Sequence, residues 1–172
     1  MFGDGFYIFY KLNGKLRPMP VNDLGLNYKG NYAGVGINIC NENDGKLLIF
    51  GRTLNRYDRT TGRCMRIKID SGAKSIGYFL PIGNTDKGLW FHDNRKLYFL
   101  PTGAAEITTV AVFSSKEDIR CGHIDKNGDI WLATSDGLHR FDTSDASFRK
   151  VPTSLFNDAV SVVCDKSERV WV

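Results

Sequence analysis

Between His123 and Asp142 the chain reads HIDKNGDIWLATSDGLHRFD, and Asp125, Asn127 and Asp129 stand at alternate positions, as oxygen ligands do at the start of a calcium-binding loop. The same Asp, Asn and Gly cluster suits a tight turn between two strands, so the spacing alone leaves both readings open. A second polar cluster, His92, Asp93, Asn94 and Arg95 in FHDNRK, has the donors and acceptors to hold a hydroxylated ligand. His123 and His139 complete the histidines, and Cys40, Cys64, Cys121 and Cys164 lie too far apart to form a C-x-x-C zinc or redox pair. No G-x-S-x-G elbow presents a serine nucleophile. GDGFYI and GVGINI lack the third glycine and the following helix of a dinucleotide loop.

What must position these residues is a repeat. IWLATSDGLHRFDTSDASFRKV from Ile130 aligns with LLIFGRTLNRYDRTTGRCMRI from Leu47, setting Leu138 on Leu54, Phe141 on Tyr57 and Asp142 on Asp58. KGLWFHDNRKLYFL adds Trp90 for Trp131 and Leu97 for Leu138, and VVCDKSERVWV adds Asp165 for Asp125 and Trp171 for Trp131. A period of about forty residues with several short strands per unit is the signature of propeller blades. Within one unit CGHID, DIWLAT, GLHRFD and SFRKV read as four strands separated by turn residues. The expected fold is all-β: a β-propeller array over residues 1–172, with half blades at 5–19 and 160–172 and blades at about 35–67, 76–112 and 119–151. That makes about four blade-equivalents, read as part of a larger ring.

The repeat judges the first cluster. Asp129 is replaced by Lys46 and Arg169 in sister units, and a cation in a ligand's place favours the turn over the calcium loop, with Gly128 and Gly45 supplying the positive φ. No metal or cofactor is expected. His123 falls where sister strands carry Ile39 and Val163 and reads as a core or strand-end histidine, whereas His139, matched by Asn55 and Tyr98, reads as solvated. Cys40 and Cys164 fall with Ile124 at an inward first-strand site, and the three tryptophans read as packing between blades. The loop holding His92, Asp93, Asn94 and Arg95 joins second to third strands and shares a face with the connections between blades. Arg52 occupies the matching loop one blade earlier, and Tyr28 and Tyr32 lie in an inter-blade connection. Aromatic, amide, acidic and guanidinium groups suit a sugar, with its apolar C–H faces and hydroxyl rim. Those seven residues are the candidate ligand set.

Asp125, Gly128, Ile130, Trp131, Thr134, Gly137, Leu138, Arg140, Phe141 and Asp142 carry a pattern that resembles the two-component regulator propeller repeat. The unit from Ile119 to Val151 matches closely; the units at 35–67 and 76–109 are degenerate. The resemblance implies the periplasmic sensor region of a hybrid two-component system, in which seven-bladed propellers precede a membrane span and a histidine kinase. On that basis the chain is expected to recognise an oligosaccharide or another small molecule without performing chemistry, and to pack against other blades or domains of the same receptor.

Composition bounds the alternatives. The formal charge of +4 is spread among interleaved acids and bases, with no basic tract to follow a phosphate backbone, so nucleic acid is not an expected partner. No apolar run approaches the roughly 18 residues of a membrane span, so no membrane contact is expected of this region, and no export signal is evident. A propeller lyase resembling the streptogramin lyases and a free-standing protein-interaction propeller remain as alternative readings.

Overall fold

The computed structural model describes residues 7–10, 15–18, 38–50, 54–68, 79–114 and 116–172, and every regular element among them is a strand. Tyr28, Tyr32 and Arg52 lie outside the described residues. The strands form five antiparallel meanders. First comes a pair, β1 (Tyr7–Tyr10) with β2 (Lys15–Pro18). Three four-stranded sheets follow: β3 (Asn38–Asn41), β4 (Leu47–Phe50), β5 (Leu54–Tyr57) and β6 (Cys64–Arg66); β7 (Leu80–Asn84), β8 (Gly88–His92), β9 (Lys96–Pro101) and β10 (Thr108–Val112); and β11 (Ile119–Ile124), β12 (Ile130–Thr134), β13 (Gly137–Asp142) and β14 (Ser147–Lys150). A last pair joins β15 (Val163–Cys164) to β16 (Val170–Trp171). This is a β-propeller arrangement, and CGHID, DIWLAT, GLHRFD and SFRKV lie on the four strands β11 to β14.

Period-two alternation in the central strands explains the stacking, because a strand buried on both faces sends successive side chains to opposite neighbours. On β8 and β9, Leu89, Phe91, Tyr98 and Leu100 join Leu48, Phe50 and Leu54 of the preceding sheet in one core. Trp90 and Leu97 join Ile130, Leu132 and Phe141 of the following sheet in the next. Ala133 and Leu138 then meet Ala159 and Val162 in a third. Each fully buried Leu, Ile or Phe contributes roughly 1.5 to 3 kcal/mol.

The first strands lie side by side, and there the fit is closest. A Cβ on Gly122 would stand 2.8 Å from the Ile82 side chain and 3.1 Å from Leu132, and one on Gly83 would stand 3.1 Å from Ile124. Each isoleucine therefore sits over the other strand's glycine. Farther out, Arg56 donates to Glu42 through both Nε and Nη2 at 2.5 Å and to the Ala104 carbonyl of the next sheet at 2.6 Å. Between neighbouring sheets the Asn43 side-chain amide donates to the Thr85 carbonyl at 2.6 Å, and the Asn84 side-chain amide donates to the Asn41 carbonyl at 2.7 Å.

Two sequence-based expectations are corrected. His139 is 6% exposed: its ring stacks on Phe148 at 5.1 Å and meets Phe113 edge-on at 5.6 Å. Asn55 and Tyr98, its counterparts, are buried too, so this third-strand position turns inward in all three four-stranded sheets. Cys40 pairs with Leu48 as His123 pairs with Trp131, so Cys40 occupies the His123 position and Asn41 that of Ile124. A turn one residue shorter between β4 and β5 than between β12 and β13 displaced the alignment. Cys164, which pairs with Val170 as Ile124 pairs with Ile130, lies where expected.

Candidate functional site

At one end of the sheets, the β8–β9 turn carries the second polar cluster. His92 closes β8 and is 2% exposed, with Nδ1 donating to the Asp93 carbonyl at 2.9 Å in the tautomer that places hydrogen there. Burial lowers its pKa from the usual imidazole value, with a smaller opposing effect from Asp93. Asp93, 4% exposed, accepts from the backbone N–H groups of Arg95 and Lys96 through one carboxylate oxygen, at 2.7 and 2.8 Å, and from the Tyr98 hydroxyl through the other, at 2.7 Å. Both oxygens thus build the turn. Desolvation, followed by the Asp93 hydrogen bond, raises the Tyr98 pKa. Asn94 and Arg95 are exposed; their carbonyls accept from Ile119 and Phe113 N–H, which seats the connection between blades beside this turn. Arg95 also approaches Asp118 at 3.9 Å in the open. The structure therefore brings Asn94 and Arg95 to the surface together and turns His92 and Asp93 inward beneath them.

At the opposite end lie the turns between first and second strands. Asp125 accepts from Asn127 and Asp129 N–H at 2.9 and 3.1 Å and, through its other oxygen, from the Trp131 indole N–H at 2.9 Å. Gly128 has φ 86° and Gly45 φ 81°. The Asp129 carboxylate receives the Arg140 guanidinium and the Thr143 N–H, and Arg140 lies 5.7 Å over the Trp131 ring. DKNGD is a turn whose carboxylates are engaged by protein donors. The motif recurs at Asp165, which takes Ser167, Arg169 and Trp171 donors. Trp171 itself is 57% exposed, whereas Trp90 and Trp131 pack between sheets.

Between successive turns run two grooves. One of about 190 Å³ lies among Trp131, Arg140, Cys164 and Asp165. The other, about 520 Å³, has Trp90, Phe99 and Ile124 beneath a rim that includes Asn84, Lys87, Asn127 and Thr143. Sequence reasoning treated Trp90 only as packing and passed over Phe99. The available signal was Phe99 standing where Arg56 and Arg140 stand in the sister units.

No family model matches the chain, and no curated protein matches it. Solved structures do. The extracellular domain of BT4673 from B. thetaiotaomicron, described once as a one-component and once as a hybrid two-component system, superimposes with TM-scores of 0.70 and 0.67 at 18% and 16% identity. Both alignments cover 97% of this chain and 23% of the other. The extracellular domain of the hybrid two-component system BT3049 from the same organism gives 0.56 at 19% identity, covering 96% of this chain and 21% of that one. The chain thus spans under a quarter of these structures' length, and over nearly all of its own residues it has the β-propeller fold of the extracellular domains of hybrid two-component systems.

Proposed function

We propose that this propeller is a ligand-recognition module of a signalling receptor, exposed outside the cytoplasm or in the periplasm, that senses a carbohydrate without chemically altering it. The observation carrying this is the conjunction of the repeat pattern around Trp131 with a fold held in common with extracellular domains of two-component systems. Recognition without chemistry is supported by the burial of His92 and His139, which leaves neither as an accessible base. Signalling falls to other parts of the receptor, against which these blades pack.

In this reading the loop end presents the hydrogen-bonding groups, Asn94 and Arg95 at the surface, while His92 and Asp93 hold the turn in shape. Calorimetry of the chain against a panel of oligosaccharides tests it. Binding should change little with salt, unlike a phosphate-driven association. Because hydrogen bonds to charged groups contribute about 1.5 to 3 kcal/mol, Arg95→Ala should weaken it by at least roughly tenfold. A folded chain that binds no glycan would refute the sensing role proposed for these blades; binding indifferent to Asn94→Ala and Arg95→Ala would remove the loop end alone.

A further inference from the structure

The two inter-blade grooves are the same place in successive repeats, yet one is nearly three times the volume of the other. The register shows why. Trp131 pairs with Arg140 across β12 and β13, and Trp90 pairs with Phe99 across β8 and β9. In the smaller groove Arg140 lies over Trp131 and is held by Asp129. In the larger, Phe99 stands for the arginine and Gly88 for the aspartate. The glycine is fixed, since a Cβ there would lie 2.2 Å from the Leu100 carbonyl oxygen. The turn is also shorter. Thr85 and Gly88 exchange backbone hydrogen bonds around two residues, and Thr85, in the place of Asp125, directs its hydroxyl to the Gly88 carbonyl at 3.1 Å. The Trp131 and Trp171 indoles donate to Asp125 and Asp165; Trp90 has no such acceptor, and its N–H is without a partner among the described residues. Substitution and shortening together take out the ionic plug that fills this position in the sister blade.

We infer that the groove between the β7–β10 and β11–β14 sheets is a second binding site, distinct from the loop end, which takes a neutral hydroxylated ring such as one saccharide unit. Its floor gives the ligand an apolar seat on Phe99 and Ile124. Trp90 lines the groove at 7% exposure with its ring against Phe99 and Phe141, and its N–H serves as a donor to a ring or hydroxyl oxygen. The rim charges balance, Asp86 and Asp125 against Lys87 and Lys126, and two of the four are already engaged, Asp125 by its turn and Lys126 by Glu168 of the next turn. Asp86, Lys87 and the Asn127 amide remain free to meet hydroxyls. A balanced rim gives no net attraction to an anion. The volume lies within the range of small-molecule sites.

This site shares its ligand class with the sensing role proposed above, and the test separates the two. Neutral disaccharides are titrated into the full chain by calorimetry, with tryptophan fluorescence recorded in parallel and a thermal melt to verify each variant's fold. Phe99→Arg, which sets the sister blade's guanidinium over Trp90, should abolish the fluorescence response of the groove; Trp90→Phe should weaken binding there roughly three- to tenfold by calorimetry, the effect of one neutral hydrogen bond; Lys87→Ala, on the exposed rim, should weaken it without touching the core. Arg95→Ala, at the loop end, should leave the tryptophan fluorescence response of the groove unchanged. Binding lost in Arg95→Ala and retained in Phe99→Arg and Lys87→Ala overturns the groove and leaves the loop end; preference for uronic or sulfated disaccharides over neutral ones overturns the neutral-ring assignment; no disaccharide binding by a folded chain overturns both.

Discussion

Asp125 shows how one side chain fixes both a turn and the aromatic beside it. One oxygen gathers two backbone N–H groups and the other the Trp131 indole, so Asp125→Ala should cost about 1 to 3 kcal/mol through unsatisfied donors, measured by urea denaturation. With these oxygens committed, calcium should leave the melting temperature unchanged; a calcium-dependent rise that disappears in Asp129→Asn would restore the metal-loop reading. His139 carries a different charge effect. Burial depresses its pKa, opposed by Glu117 and Asp136 and assisted by Lys150, and its ring nitrogens have no hydrogen-bond partner among the described residues. The unfolded chain then takes up the proton first as pH falls through about 6.5, so the neutral imidazole's contribution is full above that value and is lost below it. His92 acts in the same direction. Comparing denaturation midpoints between about pH 7.5 and 5.5, the parent should lose more stability than His139→Leu; parallel losses would show that this ring does not govern the acid response.

At the scale of strands, the period of two made the elements legible from the sequence, and the repeated tryptophans marked the second strand. The turn around Gly128 was legible as well, because a lysine and an arginine replace Asp129 in its sisters. Legibility failed where length or polarity misled. One residue missing from the β4–β5 turn moved Cys40 out of register, and a histidine among apolar neighbours looked solvated because its companions, Phe113 and Phe148, come from a distant connection and from the fourth strand. The candidate loop was placed beside the inter-blade connection, but the inward direction of His92 and Asp93 depended on Tyr98, whose hydroxyl is supplied from beneath. Strand packing gives its own prediction. Gly122 leaves room for Ile82 and nothing larger, so Gly122→Val should destabilise by about 1 to 3 kcal/mol as an overpacked contact. Pairing it with Ile82→Ala should recover part of the loss in chemical denaturation; an additive double variant would mean the two side chains do not meet.

For the molecule as a whole, one polar link between sheets runs through Arg56, which donates to the Ala104 carbonyl of the next sheet while Glu42 of its own sheet holds the guanidinium, each side chain of the ion pair 3% exposed. Removing one partner strands the other, so Glu42→Ala should cost about 3 to 5 kcal/mol, whereas replacing both by apolar residues of similar volume should be near neutral. A double-mutant cycle followed by thermal melting measures the difference. The interlocked glycines bear on something larger. Where first strands meet, the space between sheets is filled by one isoleucine over one glycine; toward the fourth strands it is filled by Phe113, His139 and Phe148 in mutual ring contact. Thin filling at one edge and thick filling at the other make this interface, between the β7–β10 and β11–β14 sheets, a wedge. The curvature of the array is therefore written in side-chain volumes, so that the number of sheets needed to complete a circle is a quantity the glycines on β7 and β11 help to set.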